Sequence, residues 1–162
     1  MDDPTPANQL LGVYNPKLLE KIGNALTANK VRSGLVVHGL VNNQNISGVD
    51  ELTNCGINQV FGIGKLAMPE IENWTPEKWN TTVGTFSQLS GGDLDENLKI
   101  MNSLLEGSAS DSLRDSVLMN AATAFWIQGK SSSLEEGMEL ANSLLINGTV
   151  KQWLEKAGNI FK

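Results

Sequence analysis

The chain has 162 residues, 40% of them apolar, with a net charge of −6 and 12 basic side chains. That is enough apolar material for a single cored domain over residues 1–162, and Lys and Arg scattered singly argue against the basic face that a nucleic-acid backbone or an anionic membrane requires. Apolar runs such as GLVVHGL fall far short of the ~20 residues that span a bilayer, the start MDDPTPANQ lacks a signal-peptide pattern, and the lone Cys55 allows neither an intrachain disulfide nor a zinc cluster, so a cytoplasmic chain is expected, or one in an organelle stroma or matrix after loss of a presequence.

The chain opens with a β-like run, QLLGVY (9–14), followed by NPKLLEKIGNALTANK, where Asn15 can cap and Pro16 fits the first helical position. Leu18, Leu19, Ile22 and Leu26 repeat at helical spacing, and GLVVHGL (34–40) reads as a buried strand. Together they make a β-α-β unit, whose strands must be parallel. A polar connection, VNNQNISGVDELTNCG, leads to a second β-rich region, INQVFGI and KLAMPEIENW. Helices follow. DLDENLKIMNSLLEG carries a capping box from Asp93 to Glu96, an apolar face of Leu94, Leu98, Met101 and Leu105, and a stop at Gly107. DSLRDSVLMNAATAFWIQGK aligns Leu113, Val117, Leu118, Ala121, Ala124 and Phe125 before Gly129. A third helix runs from Ser133, with Glu136 as box partner, through Met138, Ala141, Leu144 and Leu145 to Gly148. A fourth starts at Thr149, with Gln152 as partner, and carries Val150, Trp153, Leu154 and Ala157. The expected fold is α/β: a small, mostly parallel sheet of about four strands with one crossover helix and a set of C-terminal helices. Residues 1–8 and the Asn-rich connection are the weakly structured candidates.

Asp50 and Glu51 stand side by side in that connection, downstream of a parallel strand, where open α/β sheets bind ligands. Two hard oxygen donors there suit Mg2+, which keeps several waters and takes one or two carboxylates plus substrate phosphates. Spacing alone does not separate this from an inert, solvated pair. His38 could exchange a proton, but no Ser or Cys nucleophile pairs with it, and a hydrogen-bonded strand-terminal histidine is the simpler reading. SGGDLDEN has the look of an anion loop at a helix N-terminus, yet Asp93 already serves there as a cap. The four tryptophans read as core or interface anchors, too dispersed for one aromatic cage.

Taken in order, PANQLLGVYNPKLLEKIGNAL, GLVVHGL with SGVDEL, TPEKW, GGDLDENLKIMNSLLEG, RDSVLMNAATAFWIQGK and SLEEGMELANSLLINGTVKQWLEKA resemble the C-terminal part of the anthranilate phosphoribosyltransferase family, which is related to the pyrimidine nucleoside phosphorylases. The resemblance implies a glycosyltransferase of tryptophan biosynthesis that moves phosphoribose from phosphoribosyl pyrophosphate to anthranilate. It also implies that Asp50 and Glu51 bind Mg2+ accompanying the pyrophosphate, with Gly48 giving the backbone freedom that aims them. The family's helical domain, glycine-rich pyrophosphate loop and anthranilate-binding arginine have no counterpart in the sequence, and NNQNI enlarges the connection before the acidic pair. The expectation is therefore a domain inactive by itself, with a protein partner, a second copy or a larger assembly covering the exposed face. The alternative is a non-catalytic structural or interaction subunit built on the same fold.

Overall fold

The computed structural model describes residues 8–41 and 48–160. Strand β1 (Asn8–Gly12) leads through a 3-10 turn (Pro16–Leu18) into helix α1 (Leu19–Ala28) and strand β2 (Ser33–Gly39). The entry into α1 follows from Asn15, whose side chain accepts from Lys17 N at 3.0 Å, and from Pro16, whose fixed φ suits a first turn. β1 and β2 pair in parallel, Leu10 against Leu35, as a helical crossover requires.

The α/β class, the four strands and the crossover are as expected, but the sheet is mixed and not mostly parallel. β3 (Asn58–Gly64) runs antiparallel to β2, and β4 (Glu72–Trp74) antiparallel to β3, in the order β1-β2-β3-β4. No helix intervenes in the described parts of these two connections, so nothing carries the chain back to the starting edge, and adjacent strands reverse. β2 is buried along its whole length because both faces are covered. Leu35 and Val37 face a core with Leu52, Val60, Trp74, Trp79, Met119 and Ala122, while Val36 joins Val13 and Leu19 under α1. This two-sided burial turns the strand into a continuous apolar run instead of an alternating one.

Four further helices complete the chain: α2 (Leu94–Leu105), α3 (Asp111–Ile127), α4 (Leu134–Ile146) and α5 (Thr149–Ile160). The Asp93 and Ser133 caps are in place, accepting from Glu96 N at 2.9 Å and Glu136 N at 3.1 Å. At α5 the cap differs: Thr149 is already helical, and its N–H donates to Asn147 Oδ1 at 2.9 Å. The buried face of α3 also differs. Leu118 is buried as expected, but Val117 is exposed, and the other buried positions include Ser112, Ser116, Met119, Ala122 and Thr123. Its hydroxyls are buried because each has a partner, as with Trp79 Nε1, which donates to Thr123 Oγ1 at 3.0 Å. α2 keeps its apolar stripe, but none of its residues is buried, and among the described residues it makes no extensive contact with another helix or strand. Leu94 is 73% exposed.

Candidate functional site

The carboxyl ends of the two parallel strands are Gly12 and Gly39, and the backbone of the acidic pair lies across them. A Cβ on Gly12 would coincide with the carbonyl of Asp50, and one on Gly39 would come within 2.6 Å of the carbonyl of Glu51. Only bare glycine backbone lets the segment approach so closely. Upstream, Val49 and Gly39 exchange both backbone hydrogen bonds, at 2.8 and 2.9 Å. Gly48 has φ +150°, and a side chain there would run into the His38 ring. The glycine expected before the pair is thus required for both conformation and space.

Downstream, three consecutive residues are held by side chains. Leu52 N donates to Asn120 Oδ1 at 3.1 Å, and Asn120 Nδ2 returns a bond to Leu52 O at 2.7 Å. Thr53 N donates to Asn58 Oδ1 at 2.8 Å, and Asn58 Nδ2 to Thr53 O at 2.9 Å. Asn54 N donates to Ser116 Oγ at 3.3 Å, and that hydroxyl donates to Asn54 Oδ1 at 2.9 Å. A loop this deeply buried has no water to satisfy its backbone, so amide and hydroxyl side chains do so instead. Asp50 and Glu51 sit between these two anchorages with their side chains exposed.

Glu51 belongs to an exposed residue, yet its carboxyl is partly enclosed; this burial, and then the charge of Asp50, raise its pKa above the ordinary 4.5. Two neighbouring carboxylates with one held up in this way form a place where a divalent cation is favoured, because it removes both the repulsion and the cost of enclosure. Two adjacent carboxylates are hard oxygen donors of the kind Mg2+ takes, and the donor set fits it on that ground. It is also a sparse set: among the described residues no group of three or more His, Cys, Asp or Glu comes together, so waters and ligand oxygens would complete the coordination.

His38 is fully buried at the end of β2, and its Nδ1 lies 2.8 Å from Val13 O. That bond places the proton on Nδ1 and makes the residue a structural tie, not an accessible acid or base. Asp93 is a helix cap, and the Gly92 N–H is taken by Asn97 Oδ1 at 3.0 Å, which removes that loop as an anion site. Three of the four tryptophans do gather: the Trp74 ring lies 5.6 Å from Trp79 and 6.3 Å from Trp126, while Trp153 remains exposed. The NNQNI segment, residues 42–46, lies outside the described residues. The residues that sequence reasoning missed are Asn120, Asn58 and Ser116. Their signal was a polar residue interrupting an apolar run, as in VLMNAATAF.

The model of the "glycosyl transferase family, a/b domain" matches residues 2–151. Among curated relatives, anthranilate phosphoribosyltransferase of Synechococcus elongatus is 33% identical over 151 residues, covering 92% of this chain and 41% of the relative. That of Desulfatibacillum aliphaticivorans is 34% identical over 156 residues, covering 96% and 44%. The crystal structure of the Thermus thermophilus enzyme superposes with a TM-score of 0.76 at 34% identity, covering 90% of this chain and 40% of that one. The Saccharomyces cerevisiae enzyme in complex with PRPP and Mg gives the same TM-score at 22% identity, a likeness of fold. The chain thus spans about two fifths of the length of these relatives.

Proposed function

The chain belongs to the glycosyl transferase family through its a/b domain, and on that premise we propose that it supplies the cation site of a phosphoribosyl transfer to anthranilate. Asp50 and Glu51 hold Mg2+, and the phosphates of phosphoribosyl pyrophosphate share the cation. A bound Mg2+ supplies charge neutralisation as pyrophosphate departs. The chain's own part is positional: Gly12 and Gly39 admit the pair to the strand ends, and the bonds of Val49 and Leu52 fix the backbone on either side. The observation that carries the reading is this adjacent carboxylate pair, anchored from both sides at the carboxyl edge of the parallel strands.

The match covers about two fifths of each relative, so the remaining contacts to pyrophosphate and to anthranilate belong to parts of the family's fold beyond the matched span. We assign to those parts, in a protein partner or a further segment, the exposed stripe of Leu94, Leu98 and Met101 on α2. At the C-terminal end of the same helix, Leu104 and Leu105 line a cleft of about 420 Å³ with Ala109, Leu145 and Ile146. Residues 1–162 alone then bind the cation without turning over substrate. A non-catalytic interaction role is the second reading, favoured by the same exposed stripe. Titration with Mn2+ as a Mg2+ substitute decides between them: saturable binding lost in Asp50→Asn and Glu51→Gln supports the transferase reading, and binding indifferent to both substitutions leaves the interaction role. Among the described residues no helix is long and apolar enough to cross a membrane.

A further inference from the structure

The bonds at Leu52 lead one step further, and this step rests on the cation-site reading above. Leu52 directly follows Glu51 and is fully buried. Its two backbone polar groups both go to one side chain 68 residues away: Asn120 Oδ1 accepts from Leu52 N at 3.1 Å, and Asn120 Nδ2 donates to Leu52 O at 2.7 Å. A carboxamide is the side-chain group that reproduces a neighbouring strand, with one acceptor and one donor side by side. Asn120 Nδ2 also donates to Ser116 O at 2.9 Å, one turn back on α3. That second donation, to a carbonyl that cannot donate in return, fixes which end of the amide is nitrogen and holds it from flipping.

We propose that Asn120 is a positioning residue for the cation site, which sets the direction in which the Glu51 carboxylate leaves the backbone. Val49 is already tied to Gly39, so a second tie at Leu52 closes the bracket around two residues with exposed side chains. With one end released, the peptide between Glu51 and Leu52 is free to rotate, and the direction of the Glu51 side chain is no longer fixed by the backbone. The neighbouring clamps, Asn58 on Thr53 and Ser116 on Asn54, lie further from the pair and keep the loop buried without aiming Glu51. Loss of an outer partner of this kind weakens metal affinity by about 10- to 100-fold.

The test uses the 15N-labelled chain with Mn2+ alone as the probe, reading paramagnetic broadening of the amides of residues 49–53 and, separately, stability to urea. The expected result is local, saturable broadening in the wild type that Asp50→Asn and Glu51→Gln abolish. Asn120→Ala then needs about tenfold more Mn2+ for the same broadening. Asn120→Ser, the milder change should the alanine variant not fold, shows an intermediate shift. Thr123→Val serves as the control on the same helix: it loses the bond to Trp79 and hence stability, and broadens at wild-type Mn2+. Asn120 variants that lose stability yet respond to Mn2+ as wild type overturn the positioning role alone. Broadening indifferent to Asp50 and Glu51 overturns the cation site and this inference with it.

Discussion

Asn58 offers the sharpest check on how the loop beside the site is held. It is fully buried at the start of β3, accepts from Thr53 N at 2.8 Å and donates to Thr53 O at 2.9 Å, while Thr53 is itself buried. Asn58→Ala removes both partners at once and leaves a donor and an acceptor unpaired in a place closed to water. Each such group costs about 1–3 kcal/mol, so the substitution is expected to cost about 2–6 kcal/mol, a large part of the ~5–15 kcal/mol that holds a domain together. Urea unfolding followed by fluorescence of the Trp74, Trp79 and Trp126 cluster reads the loss directly. With a slope of about 2 kcal/mol per molar urea, the midpoint falls by roughly 1–3 M at unchanged slope. As a comparison, Asn15→Ala removes an exposed cap and is expected to cost about 0.5–2 kcal/mol. A loss at Asn58 below about 1 kcal/mol would mean that water reaches Thr53, and the account of a buried, side-chain-clamped loop would fail.

The other expectations concern the site and the open helix face. Leu94→Glu with Leu98→Glu is expected to change stability by less than about 0.5 kcal/mol in this chain, because surface substitutions away from packed features do so little; Leu35→Ala, fully buried, is expected to cost about 2–5 kcal/mol in the same urea assay. Gly48→Ala places a methyl group against the His38 ring at φ +150°, and a cost of about 1–3 kcal/mol together with shifted amide resonances at residues 49–52 is expected. Glu51 binds its proton more tightly folded than unfolded, so its contribution to stability is fully present below pH 4.5 and is lost as pH rises through the raised folded value. Glu51→Gln therefore removes that part of the pH dependence and raises the melting temperature at neutral pH, whereas Mn2+ raises it in the wild type and not in the variant.

The parallel β1-α1-β2 unit and the helix caps were legible because local chemistry specifies them: Asn-Pro starts a helix, Asp93 and Ser133 cap one, and a continuous apolar run is a strand covered on both faces. Strand direction beyond β2 was not legible, because INQVFGI has the same pattern read either way and only the connection decides. The buried face of α3 agrees with the apolar spacing at Leu118 and departs from it elsewhere for a different reason. Counting apolar residues selects Leu113 and Val117, whereas the face that packs carries Ser112, Ser116 and Thr123, whose hydroxyls have partners distant in sequence. In α2 the apolar stripe is present as its spacing implies, but periodicity records an apolar face without saying what, if anything, covers it.

The distribution of anchors has a consequence for how the site works under the proposed function. Among the described residues, the contacts that fix the backbone of Asp50 and Glu51 are Gly12 and Gly39 beneath the pair, Val49 before it and Asn120 after it. The pair is preorganised without ligand, so little conformational entropy remains to be lost on binding. Two carboxylates are nevertheless too few donors to hold Mg2+ tightly, since the ion demands six oxygens and releases its waters reluctantly. Cation and phosphate must then strengthen each other's binding, each supplying what the other lacks, and the coupling is reciprocal by linkage. Addition of inorganic pyrophosphate should therefore tighten Mn2+ binding in the wild type and leave Asp50→Asn unaffected. Equal tightening in both would show the cation to be held by the phosphate alone, with the carboxylates as bystanders.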